Sequence, residues 1–473
     1  MKKITRFFAS ILLVAMVILM VGCGASSKDT KDDKSAGNET ASGSKETTTA
    51  SSDKAEKESS GEKVTLKVQW IGDFKLEDST DPISGETRKG VKILEEEFEK
   101  QNPDIDLEYI IMGWDDYQKK TQSMIMAGEA DLYQAPGIAA LAAQDLLEPL
   151  QPYIDKDNFD IGVYIDGQID GWKVVGVSDS DPQIYGLPLI ADTRFIVYDK
   201  QIFDEWGVPY LSAQPTLEEV MDCAKKMTGT NPVTGEQNYG IFHKGTDGGD
   251  TVMNINEYYG GTWGTGNTAA ELVMNFDSDT MIKAMETLVE LNKYAPEGVM
   301  VNQGGELFGT ENNNIAINLR ANPAVINNIE ALGLSDRYAV SRLFINEEHG
   351  MGGMFAGSPI VMASNSKVKD AAWEYLKFTS SDFFAEYFWE NQRNEGLPVI
   401  KNALKFDGIA NNENISAIMD TLQYLWTPRY VYRAGEARGI LTTAVEDVTL
   451  NGKSPAEVLS AAQKEVEEWI AAQ

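Results

Sequence analysis

Apolar and polar residues alternate along Val64-Thr65-Leu66-Lys67-Val68-Gln69-Trp70, which predicts a strand with one face in a core. Val91, Leu94 and Phe98 then recur at helical spacing, and Asn102-Pro103 stops that helix. Ile105, Leu107, Tyr109 and Ile111 alternate as a second strand. A helical stretch covers about 115–127, and 131–134 is a short third strand running into Ala135-Pro136-Gly137. Strand, helix, strand, helix, strand is a βαβαβ unit built on a parallel sheet. In open sheets of this kind a ligand sits beyond the carboxyl ends of the strands. Those ends are Trp70 to Asp73, Gln134 to Gly137 and, further on, Asp192 to Arg194.

The third of these ends is where the chain first changes domains. Ile184, Leu187 and Leu189 are apolar up to Asp192-Thr193-Arg194, and Phe195-Ile196-Val197-Tyr198 forms a second β-rich run. A carboxylate, a hydroxyl and a guanidinium between two apolar strands are costly to bury unpaired, so they line a wet cleft or form a surface ion pair of little weight. Around them, Asp73 and Gln134 offer groups for hydroxyls, and Trp70 either stacks on a sugar ring or caps the core.

Beyond the joint, Thr216-Leu217-Glu218-Glu219 is a capping box that starts a helix, and 228–235 is a turn, read as a hairpin tip. Residues 254–266, NINEYYGGTWGTG, read as a flexible aromatic loop. Met281, Met285, Leu288 and Leu291 fall on one side of an amphipathic helix and are core. Ile315 to Leu319 is a strand ending in Arg320-Ala321-Asn322-Pro323. Helices over 368–379 and 382–391 carry dense aromatics at core spacing. Ser454-Pro455-Ala456-Glu457 starts the terminal helix.

Composition narrows the partners. A formal charge of −32 repels nucleic acid and anionic lipid, which removes both as ligands. With 473 residues the chain exceeds one ordinary core, and 42% hydrophobic content suffices for two. Two cysteines, Cys23 and Cys223, and two histidines, His243 and His349, leave no ligand set for a His/Cys-built metal site and no disulfide framework once Cys23 is used otherwise. No cofactor is expected, and the motifs of common hydrolases and nucleotide-binding enzymes, GxSxG, HExxH and a phosphate loop of the Walker type, are all missing.

Lys2, Lys3 and Arg6 precede an apolar run to Val21, the pattern of a secretory signal over 1–22. Leu19-Met20-Val21-Gly22-Cys23 resembles the lipobox of bacterial lipoproteins, with Met20 in place of the usual Leu. The resemblance makes Cys23 the lipidated N-terminus of the mature chain, and the lipid its sole contact with the membrane. Residues 24–63 hold seven Lys, nine acids and only Ala for apolar content, so they cannot offset chain entropy. They form a leash spanning roughly 35 Å.

Six segments in order carry a wider resemblance: ILEEEFEKQNPDIDLEY, AGEADLYQAPGIAALAAQDLLEPL, YGLPLIADTRFIVYDKQIFDEWGVP, PTLEEVMDCAKKMTG, KVKDAAWEYLKFTSS and NGKSPAEVLSAAQKEV. The chain resembles an extracellular solute-binding protein of an ATP-driven importer, of the group that includes maltodextrin-binding lipoproteins. The resemblance implies a two-lobed, type II periplasmic-binding-protein-like α/β fold with mixed, mainly parallel sheets and three crossing segments. It implies lobes of 64–190 with 356–425 and of 191–355 with 426–473, closing on ligand by a hinge. It also implies a monomer that docks on membrane permease subunits and catalyses nothing.

By position in that family, Arg320 and Asn322 project into the cleft, Trp263 faces it or packs behind it, and 350–357, with four glycines and Phe355, is the second crossing. The third crossing supplies Trp426, Arg429, Tyr430, Tyr432, Glu436 and Arg438. Arginines interleaved with aromatics can grip an acidic sugar such as a uronate, or can be absorbed by neighbouring carboxylates. The expected ligand is a carbohydrate held between the lobes. The alternatives are a non-sugar polar solute or a secreted polysaccharide-acting enzyme with paired carboxylates.

Overall fold

The computed structural model describes residues 63–472, except 267, 269, 347–350, 353, 356 and 423–433. The expected signal, Cys23 and leash, and Arg429, Tyr430 and Tyr432, lie outside the described residues.

The first alternation folds as β1 (Val64–Ile71), with Leu66, Val68 and Trp70 fully buried. It is followed by α1 (Lys92–Gln101), β2 (Ile105–Met112), α2 (Tyr117–Ala127) and β3 (Leu132–Gln134). β1 pairs in parallel with both β2 and β3, as the βαβαβ pattern requires. β4 (Gly186–Ile190) is an edge of the same sheet and buried throughout. Two residues later the chain enters β5 (Thr193–Asp199), which belongs to a second sheet.

Asp199 ends β5 and organises what surrounds it. Its carboxylate is fully buried, caps α3 (Lys200–Trp206) by accepting the Gln201 N–H at 3.0 Å, and receives the Arg337 guanidinium at 2.7 Å and the Asn313 amide at 2.8 Å. The next helix, α4 (Leu217–Lys226), is capped by Thr216, whose Oγ1 accepts the Glu219 N–H at 3.1 Å. The reciprocal half of the capping box does not form, because the Glu219 carboxylate takes the Ser212 N–H instead, at 2.8 Å. Cys223 is buried on this helix. β6 (Gly229–Thr230) and β7 (Gln237–Phe242) make the expected hairpin.

α5 (Gly248–Tyr258) corrects the loop expected from residue 254, since 254–258 complete a helix whose every residue but Tyr258 is buried. A helix buried all round has no polar face and so no amphipathic signature. α6 (Asp279–Leu291) carries its four core residues as expected. β8 (Ile315–Ala321), α7 (Pro323–Ala331), β9 (Tyr338–Arg342) and β10 (Met354–Phe355) follow. The second sheet runs β6-β7-β8-β5-β9, with β10 also on β5. Only its β7–β8 pair is parallel, so this sheet is mixed with antiparallel pairs in the majority.

β11 (Ser358–Met362) returns to the first sheet between β3 and β4, antiparallel to both. α8 (Lys369–Phe378) and α9 (Asp382–Asn391) cover that sheet, and Trp70 is enclosed by Phe74, Tyr109, Phe384 and Phe388 with ring centroids 4.9–5.9 Å away. α10 (Glu413–Thr421) packs on β9 and β5 of the second sheet. α11 (Ala434–Thr449) packs on α5 and on α12 (Pro455–Ala471). Pro455 opens α12, but Ser454 makes no side-chain cap bond there. None of the described helices is long and apolar enough to cross a membrane.

Within α5, Glu257 is 2% exposed and its Oε1 has no hydrogen-bond partner. Burial lifts this carboxyl to about 10, so the folded chain holds a proton that the unfolded chain releases above about pH 4.3. Its contribution to stability is complete below the unfolded pKa and is lost as pH rises towards the folded one. Relative to Glu257→Gln, the native chain is expected to lose up to about 1.4 kcal/mol per pH unit across that window, read from urea unfolding at several pH values. A difference that does not change with pH would show that Glu257 is not held protonated.

Candidate functional site

The ends of β1 and β3 are tied together before they reach any cleft. The Ile71 N–H donates to Gln134 Oε1 at 2.8 Å, and Gln134 is fully buried, so this amide staples two strands. Trp70 is a core residue, sealed by four rings, and the ligand reading of it is corrected. Trp263 is corrected likewise: at 1% exposure it belongs to the second core. Asp73 is exposed, with Lys75 at 2.6 Å.

At the joint between β4 and β5, Arg194 donates to Asp192 Oδ2 at 2.7 Å and to the Thr193 carbonyl at 2.9 Å, while Asp192 Oδ1 accepts the Thr193 N–H at 2.8 Å. Their side chains are 17% and 22% exposed, so the triplet is a half-buried pair and not a loose surface one. Burial opposes the Arg194 charge, but Asp192, Asp247 and Asp250 outweigh it and raise its pKa. Next to this joint, Ala191 and Leu397 exchange both backbone hydrogen bonds, at 2.9 and 2.7 Å. A side chain at Gly396 would stand 1.8 Å from Ile190 Cγ2, so only glycine lets the segment carrying Leu397 approach this closely.

Asp247 and Asp250, at the start of α5, are the residues the sequence reading missed. Asp250, 5% exposed, lies in the first turn, where the helix dipole favours an anion. Arg438 of α11 donates to both its oxygens at 3.2 and 3.3 Å, and Arg320 of β8 approaches to 3.8 Å. The Arg320 side chain is 2% exposed and also donates to the Asp247 carbonyl and Thr251 Oγ1. Asp250 is the main reason the Arg438 guanidinium is held above its ordinary pKa. Two guanidinium groups, from β8 and α11, thus meet the start of α5, and the charge of Asp247 and Asp250 is also felt by Arg194 of β5.

Asn322 is the residue before α7 and makes no side-chain cap bond. Phe355 pairs through its backbone with Thr193. Glu436 is exposed at the rim of a cavity of about 90 Å³, which is lined by Tyr117, Gln118 and Thr121 of α2, Pro136 and Gly137 after β3, and Trp172. α2 follows a strand of the first sheet and α11 packs on the second half, so this cavity lies where the two halves face each other. Thr121 Oγ1 is buried beside it without a hydrogen-bond partner. Among the described residues no three His, Cys, Asp or Glu side chains gather as a metal site.

The sequence profile of bacterial extracellular solute-binding proteins matches residues 85–382, well over half the chain. The chain belongs to that family. As a solute-binding protein it has relatives of similar length: a binding protein of Brucella abortus strain 2308 is 25% identical over 377 residues, covering 76% of this chain and 85% of the relative. Among solved structures, the sugar-binding protein MalE from Xanthomonas citri aligns with a TM-score of 0.70 at 20% identity, covering 86% of this chain and 98% of that one. An ABC substrate-binding protein from Listeria monocytogenes in complex with cycloalternan aligns with a TM-score of 0.69 at 21% identity, over 86% and 99%. The two-lobed α/β architecture is therefore that of the solute-binding proteins.

Asp250→Ala would remove a carboxylate that lies 3.8 Å from the buried Arg320 guanidinium. An expected loss of about 3–5 kcal/mol, read from urea unfolding, contrasts with under about 1 kcal/mol for Arg438→Ala, whose side chain is 41% exposed. Equal losses would show that Asp250 does not serve chiefly to neutralise Arg320.

Proposed function

We propose that this solute-binding protein captures a neutral carbohydrate between its lobes and delivers it, chemically unchanged, to the permease of an ABC importer. The observation that carries the neutral reading is the pairing of Arg194, Arg320 and Arg438 with Asp192 and Asp250. Guanidinium groups already engaged by carboxylates offer little to a uronate, and a cleft of balanced charge suits hydroxyls. For Arg194, Arg320 and Arg438 the reading in which neighbouring carboxylates absorb them is favoured over a grip on an acidic sugar, while Arg429 of the same segment lies outside the described residues.

Support for a carbohydrate comes from the solved relatives, one a sugar-binding protein and one holding cycloalternan. Support for binding over catalysis is that the family and the solved relatives are binding proteins, and that Asp192 and Asp250 each face a guanidinium group and do not pair with one another as a glycosidase acid and base would. The lobes are 64–190 with 356–425 and 191–355 with 426–473, hinged at the crossings, except that α10, packed on β9 and β5, goes with the second. A cavity of about 90 Å³ falls well below the roughly 300–1,000 Å³ of ordinary ligand pockets, so the lobes part to admit a sugar ring. Lipidated Cys23 and the leash hold this monomeric body at the outer face of the cytoplasmic membrane.

Calorimetry with neutral and uronate-containing oligosaccharides tests the reading. Neutral ligands are expected to bind and, at a hundred times their Kd, to add about 2.7 kcal/mol to stability with no new reducing ends. Binding confined to acidic sugars would overturn the neutral assignment, and released reducing ends would overturn the binding one.

A further inference from the structure

The parallel register of β1 and β2 places Ile71 opposite Met112, and the Gly72 N–H continues the ladder by donating to the Met112 carbonyl at 2.9 Å. Asp73 and Trp114 therefore leave the sheet side by side. Trp114 is 45% exposed, and the space beside the preceding Gly113 is open. Its ring stands edge-on to Tyr117, with centroids 5.3 Å apart at 83°, and Tyr117 lines the cavity between the halves. An isolated exposed aromatic carries no meaning on a protein surface. One that extends the wall of a ligand cavity outward does.

Glu395 sits against the end of β1, so closely that a side chain at Gly72 would meet its Oε2 at 2.3 Å. Burial raises the Glu395 carboxyl above its ordinary range, while hydrogen bonds from the Asp73 backbone and the Trp114 indole draw it down. Trp114 is about half exposed, and by the strand register it leaves the sheet beside Asp73, whose side chain is 81% exposed. A flat apolar face with an adjacent carboxylate matches a pyranose, which presents C–H groups on one side and hydroxyls on its rim.

We propose that Trp114 is an outer stacking site contiguous with the cavity through Tyr117, so that the ligand is an oligosaccharide with one ring between the lobes and a further ring on this indole. The proposal rests on the carbohydrate reading above and adds chain length to it. Trp114 then sets selectivity for longer chains, while the cavity residues set affinity for the first ring.

The test uses calorimetry with gluco-, galacto- and xylo-oligosaccharides of one to four rings on the native chain, Trp114→Ala and Trp114→Phe. The native chain is expected to gain affinity with length. Trp114→Ala is expected to lose about tenfold for the longer ligands and nothing for the single ring, with Trp114→Phe intermediate. Thermal unfolding without ligand should be near that of the native chain, because the side chain is half in water. Long ligands should also shield one tryptophan from acrylamide quenching in the native chain and not in Trp114→Ala. Binding with a length dependence that Trp114→Ala leaves unchanged, or binding of single rings only, overturns the outer site alone. No binding of any saccharide by the native chain overturns the carbohydrate reading beneath it.

Discussion

Only Ala191 and Asp192 separate a strand of the first sheet from a strand of the second, and two residues span no more than about 7 Å. That tether is the constraint on which the architecture depends. It sets the two sheets end to end at one point, so the space beyond the strand ends cannot be filled by either core and stays a crevice. The mutual Ala191–Leu397 hydrogen bonds and the bare backbone of Gly396 draw another segment to the same place, and Phe355 of β10 pairs with Thr193 and Ser358 of β11 with Ile190 on either side of it. Several thin connections gathered at one edge permit rotation there while leaving each core intact.

Charge is distributed to match. The chain as a whole is strongly acidic, yet Arg194 pairs with Asp192 at the joint between the sheets, and Arg320 and Arg438 lie against Asp250 at the start of a buried helix. Burying Arg320 is tolerable because Asp250 is beside it, and Asp250 is tolerable because the helix dipole and two cations surround it. The result is a rigid, nearly neutral surface in an otherwise anionic molecule. Such a surface distinguishes ligands by shape and hydroxyl pattern more than by charge.

Much of the fold was legible because period-two and period-3.6 patterns each have one buried face. The same alternation that predicts β1 already puts Trp70 with Leu66 and Val68, which is why that indole lies in the core. Trp114 was overlooked because it occupies a turn, where no periodicity marks a side chain as inward or outward. α5 escaped notice from residue 254 onward because Asn254, Asn256 and Glu257 are buried polar residues, and no local signal separates these from loop residues. Asp250 went unseen for a related reason: an acid gains its role only when Arg320 and Arg438, 70 and 188 residues away, fold against it. Arg194 and Asp192 were legible as a pair since they are neighbours in sequence.

The buried position of Cys223 on α4 has a practical corollary. It is the one cysteine among the described residues, and burial pushes its thiol up to about 11, so at neutral pH it is scarcely present as the reactive thiolate. The surface of the body is consequently blank towards maleimides. Dye pairs attached to cysteines introduced on opposite sides of the crevice would report the separation of the halves with little background from Cys223.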